Sequence, residues 1–259
     1  MRKSNISVML HWEDEKRKTQ YELINTNDYG FEIVSFSHHA IWETDYTSVI
    51  KKYKTELENL SNRFISFHGP FTDIIPHSEV KSISEIAKNR IQESINIALE
   101  LNSNRIVFHT GINTIITDPN FKINTINRQI DFWSEICNKN KNIEVVIENM
   151  WEKDPEYISS ICKNVNVENF GMCLDIGHIN VYSQEKPEKW IEVLKKYIKH
   201  IHLNDNLGIW DEHLSLGKGN IDLKTWMTNL VKIENIQYVL ELIDLDDIKS
   251  SLKKVEEFL

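Results

Sequence analysis

The chain has 259 residues, 41% of them hydrophobic and 27% charged, with a formal net charge of -9. Its length suits one large core, about that of a single (β/α)8 barrel, and its composition excludes a disordered chain. The acidic balance excludes a general nucleic-acid coat, which needs Lys and Arg to displace counterions, and no apolar run approaches the ~20 residues of a membrane span.

In chain order, the first strand is expected at residues 5–10 (NISVML), followed by a weakly patterned helix near 16–27. Strands then fall at 31–37 (FEIVSFS), 63–69 (RFISFHG) and 105–111 (RIVFHTG), separated by helices near 45–60 and 78–101. The second of these is the clearest, with Val80, Ile83, Ala87, Ile91, Ile95, Ala98 and Leu99 recurring at three- and four-residue spacing. A helix near 121–137 precedes the strand at 143–149 (IEVVIEN), and a helix near 155–163 precedes 170–178 (FGMCLDIGH). The last strands are 198–205 (IKHIHLND) and 237–243 (QYVLELI), interleaved with helices near 187–197, 222–232 and 245–258. Each strand is short and apolar on both faces, as in a parallel sheet covered by helices. No linker divides the chain, so residues 1–259 are expected to form one domain. The N-terminal apolar run is too short for a secretory signal, and a cytoplasmic protein is expected. Cys137, Cys162 and Cys173 form no CxxC pair and read as reduced, buried thiols.

The strand ends decide between an open sheet and a closed barrel. His68 ends the third strand, His109 the fourth, Glu148 the fifth, Asp175 and His178 the sixth, His202 the seventh and Glu241 the eighth. An open sheet would spread these along a row, whereas a barrel gathers strand ends into one mouth. Asp211 and His213, in the loop after the seventh strand, bring the set to nine. Imidazole with carboxylate and no thiolate suits zinc, manganese or iron(II), and nine ligands suit two or three ions. Three divalent ions against four carboxylates leave a positive site that attracts an anion. Such ions activate water near neutral pH and stabilise a leaving alkoxide, which is what phosphoester hydrolysis needs.

The sequence resembles the endonuclease IV branch of the xylose-isomerase-like TIM-barrel superfamily, AP endonuclease family 2, which also includes sugar-phosphate isomerases and epimerases. The segments that carry it are FHGPF, FHTG, VIEN, CLDIGH, HLND, DEHLSLGKGNI and LEL, from the third strand to the end. The resemblance implies three zinc ions: His68, His109 and Glu148 on the first, Glu148 bridging to a second held also by Asp175, His202 and Glu241, and His178, Asp211 and His213 on the third. It implies catalytic roles for Glu148, which positions the nucleophile, and Glu241, which handles protons. It also implies a phosphorylated small molecule or damaged DNA as partner, with no protein partner evident.

The chain departs from the DNA-repair enzymes in several places. SVMLHWEDE keeps only the histidine, His11, of their segment after the first strand, and Glu212 stands where they have arginine. MWEKDPE replaces a glycine-rich segment, and Phe71 and Thr72 replace the tyrosine and leucine that enter DNA. The isomerase branch needs only Glu148, Asp175, His202 and Glu241 around one Mn²⁺ or similar ion; its usual arginine after the seventh strand is missing from NDNLGIWDEH. A metal-binding barrel without catalysis is the third alternative.

His11, His38, His39 and His77 read as structural or solvent-facing, and His200 as a hydrogen-bonded core histidine one layer below His202. GKGNID (217–222) reads as a turn into a helix capped by Asp222, with Lys218 a candidate for a substrate phosphate. Trp12, Trp42, Phe71, Trp151, Tyr182 and Trp210 lie at or near strand ends, and Phe71 and Trp210 are the candidate walls of a substrate pocket.

Overall fold

Strand residues alternate between two environments. Ile6, Val8, Phe31, Ile33, Phe67, Ile106, Phe108, Ile147, Leu174, Ile201 and Leu240 join the apolar layer under the helices. The residues between them turn into the barrel, where Met9, Val34 and Val239 form one apolar cluster and Val107, Val146 and Cys173 another. The computed structural model describes residues 3–60 and 62–258; residues 1, 2, 61 and 259 of the expected single-domain span lie outside the described residues.

The elements run β1 (Ile6–Leu10), α1 (Asp14–Asn27), β2 (Gly30–Ile33), α2 (His39–Trp42), α3 (Tyr46–Leu57), β3 (Ile65–His68), α4 (Lys81–Glu100), β4 (Arg105–His109) and α5 (Pro119–Lys139). They continue β5 (Glu144–Glu148), α6 (Glu156–Val165), β6 (Phe170–Asp175), α7 (Ile176–Tyr182), α8 (Pro187–Leu194), β7 (Ile198–Leu203), α9 (Leu223–Leu230), β8 (Gln237–Leu240) and α10 (Leu245–Glu256). Successive strands pair in parallel, and β8 returns to β1, so the sheet is a closed eight-stranded barrel. This is the expected (β/α)8 fold.

Seven of the expected strands stop one to four residues early, and two of them give way to helical turns. After Ile33 the chain turns into a 3-10 segment at Ser35–Ser37 instead of extending to 37. After Asp175 it becomes α7, because the Asp175 side chain accepts from the His178 backbone N–H and starts a helix. His178 therefore sits on a helix, within the range expected for a strand. Other helix starts use the same chemistry: Asp118 caps α5 with Pro119 at its first turn, Asp222 caps α9 as expected, and Asp244 caps α10.

The helices cover the barrel with large rings. Trp133 of α5 lies 5.7 Å from Phe108 of β4 and 6.1 Å from Phe170 of β6. Each buried indole or phenyl group removes roughly 150–250 Å² from water, which contributes a few kcal/mol. Cys137, Cys162 and Cys173 are free and buried, as expected. No helix among the described residues is long and apolar enough to cross a membrane.

Candidate metal centre

Strand register delivers the ligands. His109 of β4 pairs with Glu148 of β5, Glu148 with Cys173 of β6, and Asp175 of β6 with His202 of β7. The last pairing depends on an irregularity between Met172 and Cys173, which sets Cys173 beside His200 and so Asp175 beside His202. Glu241 follows the last residue of β8 and donates its N–H to Leu203 O. His68 ends β3, and His178 sits in the first turn of α7. Asp211 and His213 arrive on the β7–α9 loop, where His213 takes a positive φ of 50°.

All nine expected residues join one network, buried around Glu148 and half-buried at Asp211 and His213. Glu148 is at its centre: Oε2 lies 3.4 Å from His68 Nε2 and 3.3 Å from His109 Nε2, while Oε1 lies 3.2 Å from His202 Nδ1 and 3.3 Å from His178 Nδ1. His202 Nδ1 is also 3.3 Å from Glu241 Oε2 and 3.9 Å from Asp175 Oδ2. Asp211 Oδ2 joins His178 Nε2 at 3.3 Å and His213 Nε2 at 2.7 Å. Ligand atoms of His68, His109 and Glu148 lie within 4.8 Å of one another, as do those of Glu148, Asp175, His202 and Glu241. His178, Asp211 and His213 are linked pairwise through Asp211.

Three features fit this set to metal ions. First, the imidazoles are held from behind: Nδ1 of His68, His178 and His213 donates to Gly69 O, Asn149 O and Glu241 O at 2.8, 2.8 and 3.0 Å. Nδ1 of His109 rests 3.2 Å from Met150 Sδ. Each partner occupies one ring nitrogen and leaves the other as a bare donor towards the centre. Second, both Glu148 oxygens, His202 Nδ1 and Asp211 Oδ1 are buried without a hydrogen-bond partner. Buried polar atoms left this way are costly unless something else satisfies them. Third, two ligands at about 2.1 Å from a shared tetrahedral ion stand roughly 3.4 Å apart, which is close to the spacing of the Glu148 contacts with His68, His109 and His202.

The electrostatics of the metal-free pocket match its crowding. Burial alone would push Glu148 up, but His202, His109 and His178 outweigh it and hold the carboxyl well below its ordinary range. Burial pushes Asp175 up to about 8, His178 opposing and the neighbouring carboxylates adding. His202 and His178 are raised well above the ordinary imidazole value because surrounding anionic groups overcome burial. Burial lowers His213, but Glu241 and Asp211 take it to about 10. Protons here stand in for positive charge that the carboxylates require.

The centre opens into a cavity of about 350 Å³ walled by Met9, Trp12, Val34, His38, Phe71 and Met150. Phe71 stacks on His109 with ring centroids 4.6 Å apart. The other two expected substrate contacts lie elsewhere: Trp210 is 61% exposed, and neither it nor Lys218 is among the residues lining this cavity. Lys218 sits in a turn pinned by buried Asp205, whose carboxylate accepts from Gly217 N and Ile221 N. Asp222 caps the helix that follows. Trp42 is buried against Phe36.

Sequence reading missed four residues around the centre. Asn204 donates to Asp175 Oδ2 at 3.2 Å and lies 3.4 Å from Glu241 Oε2. His38, read as structural or solvent-facing, lines the cavity, as does Met150. Glu32 is buried inside β2, 3.1 Å from His202 Nε2; a lone carboxylate within the apolar run FEIV was its signal.

Comparison with known proteins agrees with this architecture. The profile of the xylose isomerase-like TIM barrel family matches residues 24–257. An uncharacterized protein of Methanocaldococcus jannaschii is 30% identical over 198 residues, which span 72% of this chain and 66% of that one, just under two thirds of its length. A probable endonuclease 4 of Ureaplasma parvum is 26% identical over 221 residues, 75% of this chain and 68% of the relative. A crystal structure of a D-tagatose 3-epimerase-like protein superposes with a TM-score of 0.78 at 26% identity, covering 98% of this chain and 96% of that one.

Proposed function

Since the chain belongs to the xylose isomerase-like TIM barrel family, we propose that it is a divalent-metal-dependent hydrolase of a small phosphoester. The observation that carries this reading is that two ligand sets, His68–His109–Glu148 and Glu148–Asp175–His202–Glu241, share one buried carboxylate. Two adjacent ions, zinc in the first instance, are what such a pair of sets is suited to hold, with His178, Asp211 and His213 available to a third. When bound, the ions would supply Lewis acidity at the phosphorus centre and activate water near neutral pH.

The chain's own groups supply the rest. Glu148 bridges the two sets and orients whatever lies between them. Glu241, 9% exposed at the top of the barrel, is the carboxylate best placed to pass a proton between the centre and the cavity. Trp12, Phe71 and Met150 keep part of the cavity wall apolar. A cavity of about 350 Å³ suits a small molecule, and the net charge of -9 disfavours a long polyanion. Damaged DNA, the substrate class suggested by the endonuclease name of a relative, is therefore an arm of the test.

A single-metal epimerase is the second reading. It is favoured by Glu148 and Glu241 both lying within 3.3 Å of His202 Nδ1, because two carboxylates around one ion can exchange protons with a sugar carbon. The test is elemental analysis of gently purified protein, followed by assays on bis-p-nitrophenyl phosphate, sugar phosphates, an abasic-site duplex and free ketoses. Two or more metal equivalents and phosphoester cleavage (p-nitrophenolate, phosphate or a nicked strand, according to substrate) that His109→Ala abolishes are expected. One equivalent with ketose epimerisation and no phosphoester cleavage would overturn the hydrolase reading.

A further inference from the structure

Beneath the ligand layer, the barrel axis holds a second polar layer that binds no solvent-exposed group of the cavity. Glu32, His200 and His202 are each fully buried. Glu32 Oε2 pairs with His200 Nε2 at 3.0 Å, while Oε1 faces His202 Nε2 at 3.1 Å as an ion-pair contact, and neither of these last two atoms has a hydrogen-bond partner. On the far side, Arg105 Nη1 lies 3.3 Å from His200 Nδ1, while its other contacts go to Lys199 O and Glu144.

Donor chemistry orders this row. A guanidinium only donates, so His200 Nδ1 must accept and His200 Nε2 must carry the hydrogen that goes to Glu32. The remaining Glu32 oxygen faces His202 Nε2 and favours a hydrogen there too. His202 is thereby left with its bare electron pair on Nδ1, the atom facing Glu148 and Glu241. This is the reverse of His68, His178 and His213, whose Nδ1 atoms are held from behind by backbone carbonyls.

We propose that Glu32 is a positioning residue: it fixes His202 as an Nδ1 ligand from inside the barrel, with His200 and Arg105 holding Glu32 in turn. The inference rests on the metal-centre reading above. It predicts that affinity for the ion in the Glu148–Asp175–His202–Glu241 set depends on a residue that touches no ligand of the His68–His109 pair. Outer carboxylates of this kind commonly change metal affinity by about 10–100-fold. Glutamine at position 32 keeps the size but cannot accept from both imidazoles, because one of its two terminal atoms is a donor.

The test is zinc titration of metal-free wild type and Glu32→Gln against a competing chelator, with the melting temperature of each metal-free protein recorded. Glu32→Gln is expected to lose 10–100-fold in affinity for one zinc equivalent and to keep the remainder. A long-range ¹H–¹⁵N spectrum of zinc-loaded wild type supplies the readout that a merely structural role would not move. It should show His202 protonated at Nε2 and zinc-bound at Nδ1, opposite to His68. Unchanged zinc affinity in a folded Glu32→Gln protein, or His202 bound through Nε2, would overturn the proposal while leaving the metal centre standing. Failure of wild type to take up zinc or manganese would overturn both. If Glu32→Gln does not fold, the wild-type spectrum still decides.

Discussion

Asp175 holds His178 by two contacts: its Oδ1 accepts from the His178 backbone N–H at 2.6 Å and lies 3.7 Å from the imidazole Nδ1. One carboxylate thus starts α7 and faces the centre. Burial pushes this carboxyl up to about 8 in the metal-free protein. Asp175→Asn should keep the cap through its amide oxygen, but its amide nitrogen would meet the Asn204 donor where Oδ2 now accepts, at a cost of about 1–3 kcal/mol to metal-free stability. Zinc affinity for one equivalent should fall at least tenfold. Asp175→Ala should lose about 1 kcal/mol more by removing the cap. Calorimetric titration with thermal melting checks both, and full-affinity zinc binding by Asp175→Asn would remove Asp175 from the ligand set.

The barrel and the ligands at its strand ends were legible because such ends are marked in sequence by an apolar run that stops at His, Asp or Glu, whereas Asp211 and His213 lie on a loop and were read from the segment DEHLSLGKGNI. Of the interior layer only His200 was legible, as a hydrogen-bonded core histidine; its partner Glu32 was not. Glu32 and His200 are 168 residues apart, and nothing in FEIV or IKHIHL says that β2 faces β7 until the ring closes. Helix α7 was hidden for a local reason: CLDIGH is an apolar run with an aspartate inside it, and the cap that turns strand into helix is a single hydrogen bond. Trp210 and Lys218 do not line the cavity, and loop residues near a motif carry no periodicity that says which way they point.

Metal binding should stabilise the fold measurably, because the buried oxygens of Glu148 gain a partner only when cations are present. A ligand at a hundred times its Kd adds about 2.7 kcal/mol. For a chain of this size, that amounts to a rise of roughly 5–10 °C in Tm. Scanning calorimetry with zinc, with manganese and after chelation measures it, and identical Tm values in all three would contradict a preformed centre.

Gly177 is required by its neighbour. A β-carbon there would collide with the Asn204 side-chain oxygen, and Asn204 donates to Asp175 Oδ2. Gly177→Ala should displace Asn204 and cost about 1–3 kcal/mol, as overpacking does in a filled interior. It should also weaken zinc binding, since the freed Asp175 oxygen loses its orienting donor. Melting and zinc titration of this variant test the claim, and wild-type values for both would show that the loop yields without consequence.

His77 gives the pH dependence its sign away from the metal centre. It is 6% exposed, its Nδ1 has no hydrogen-bond partner, and burial, with Arg128 adding, lowers its pKa to about 4. The folded state therefore keeps it neutral where the unfolded chain, near 6.5, takes up a proton. Its contribution to stability is complete above pH 6.5 and is lost as pH falls towards 4. At about 1.4 kcal/mol per pH unit, the loss between pH 6.5 and 5 is roughly 2 kcal/mol. His77→Leu cannot bind that proton, so denaturant unfolding of metal-free protein should find its stability relative to wild type rising by this amount over that interval. A difference between the two proteins that stays constant from pH 7.5 to 5 would show that His77 titrates as it does in the unfolded chain.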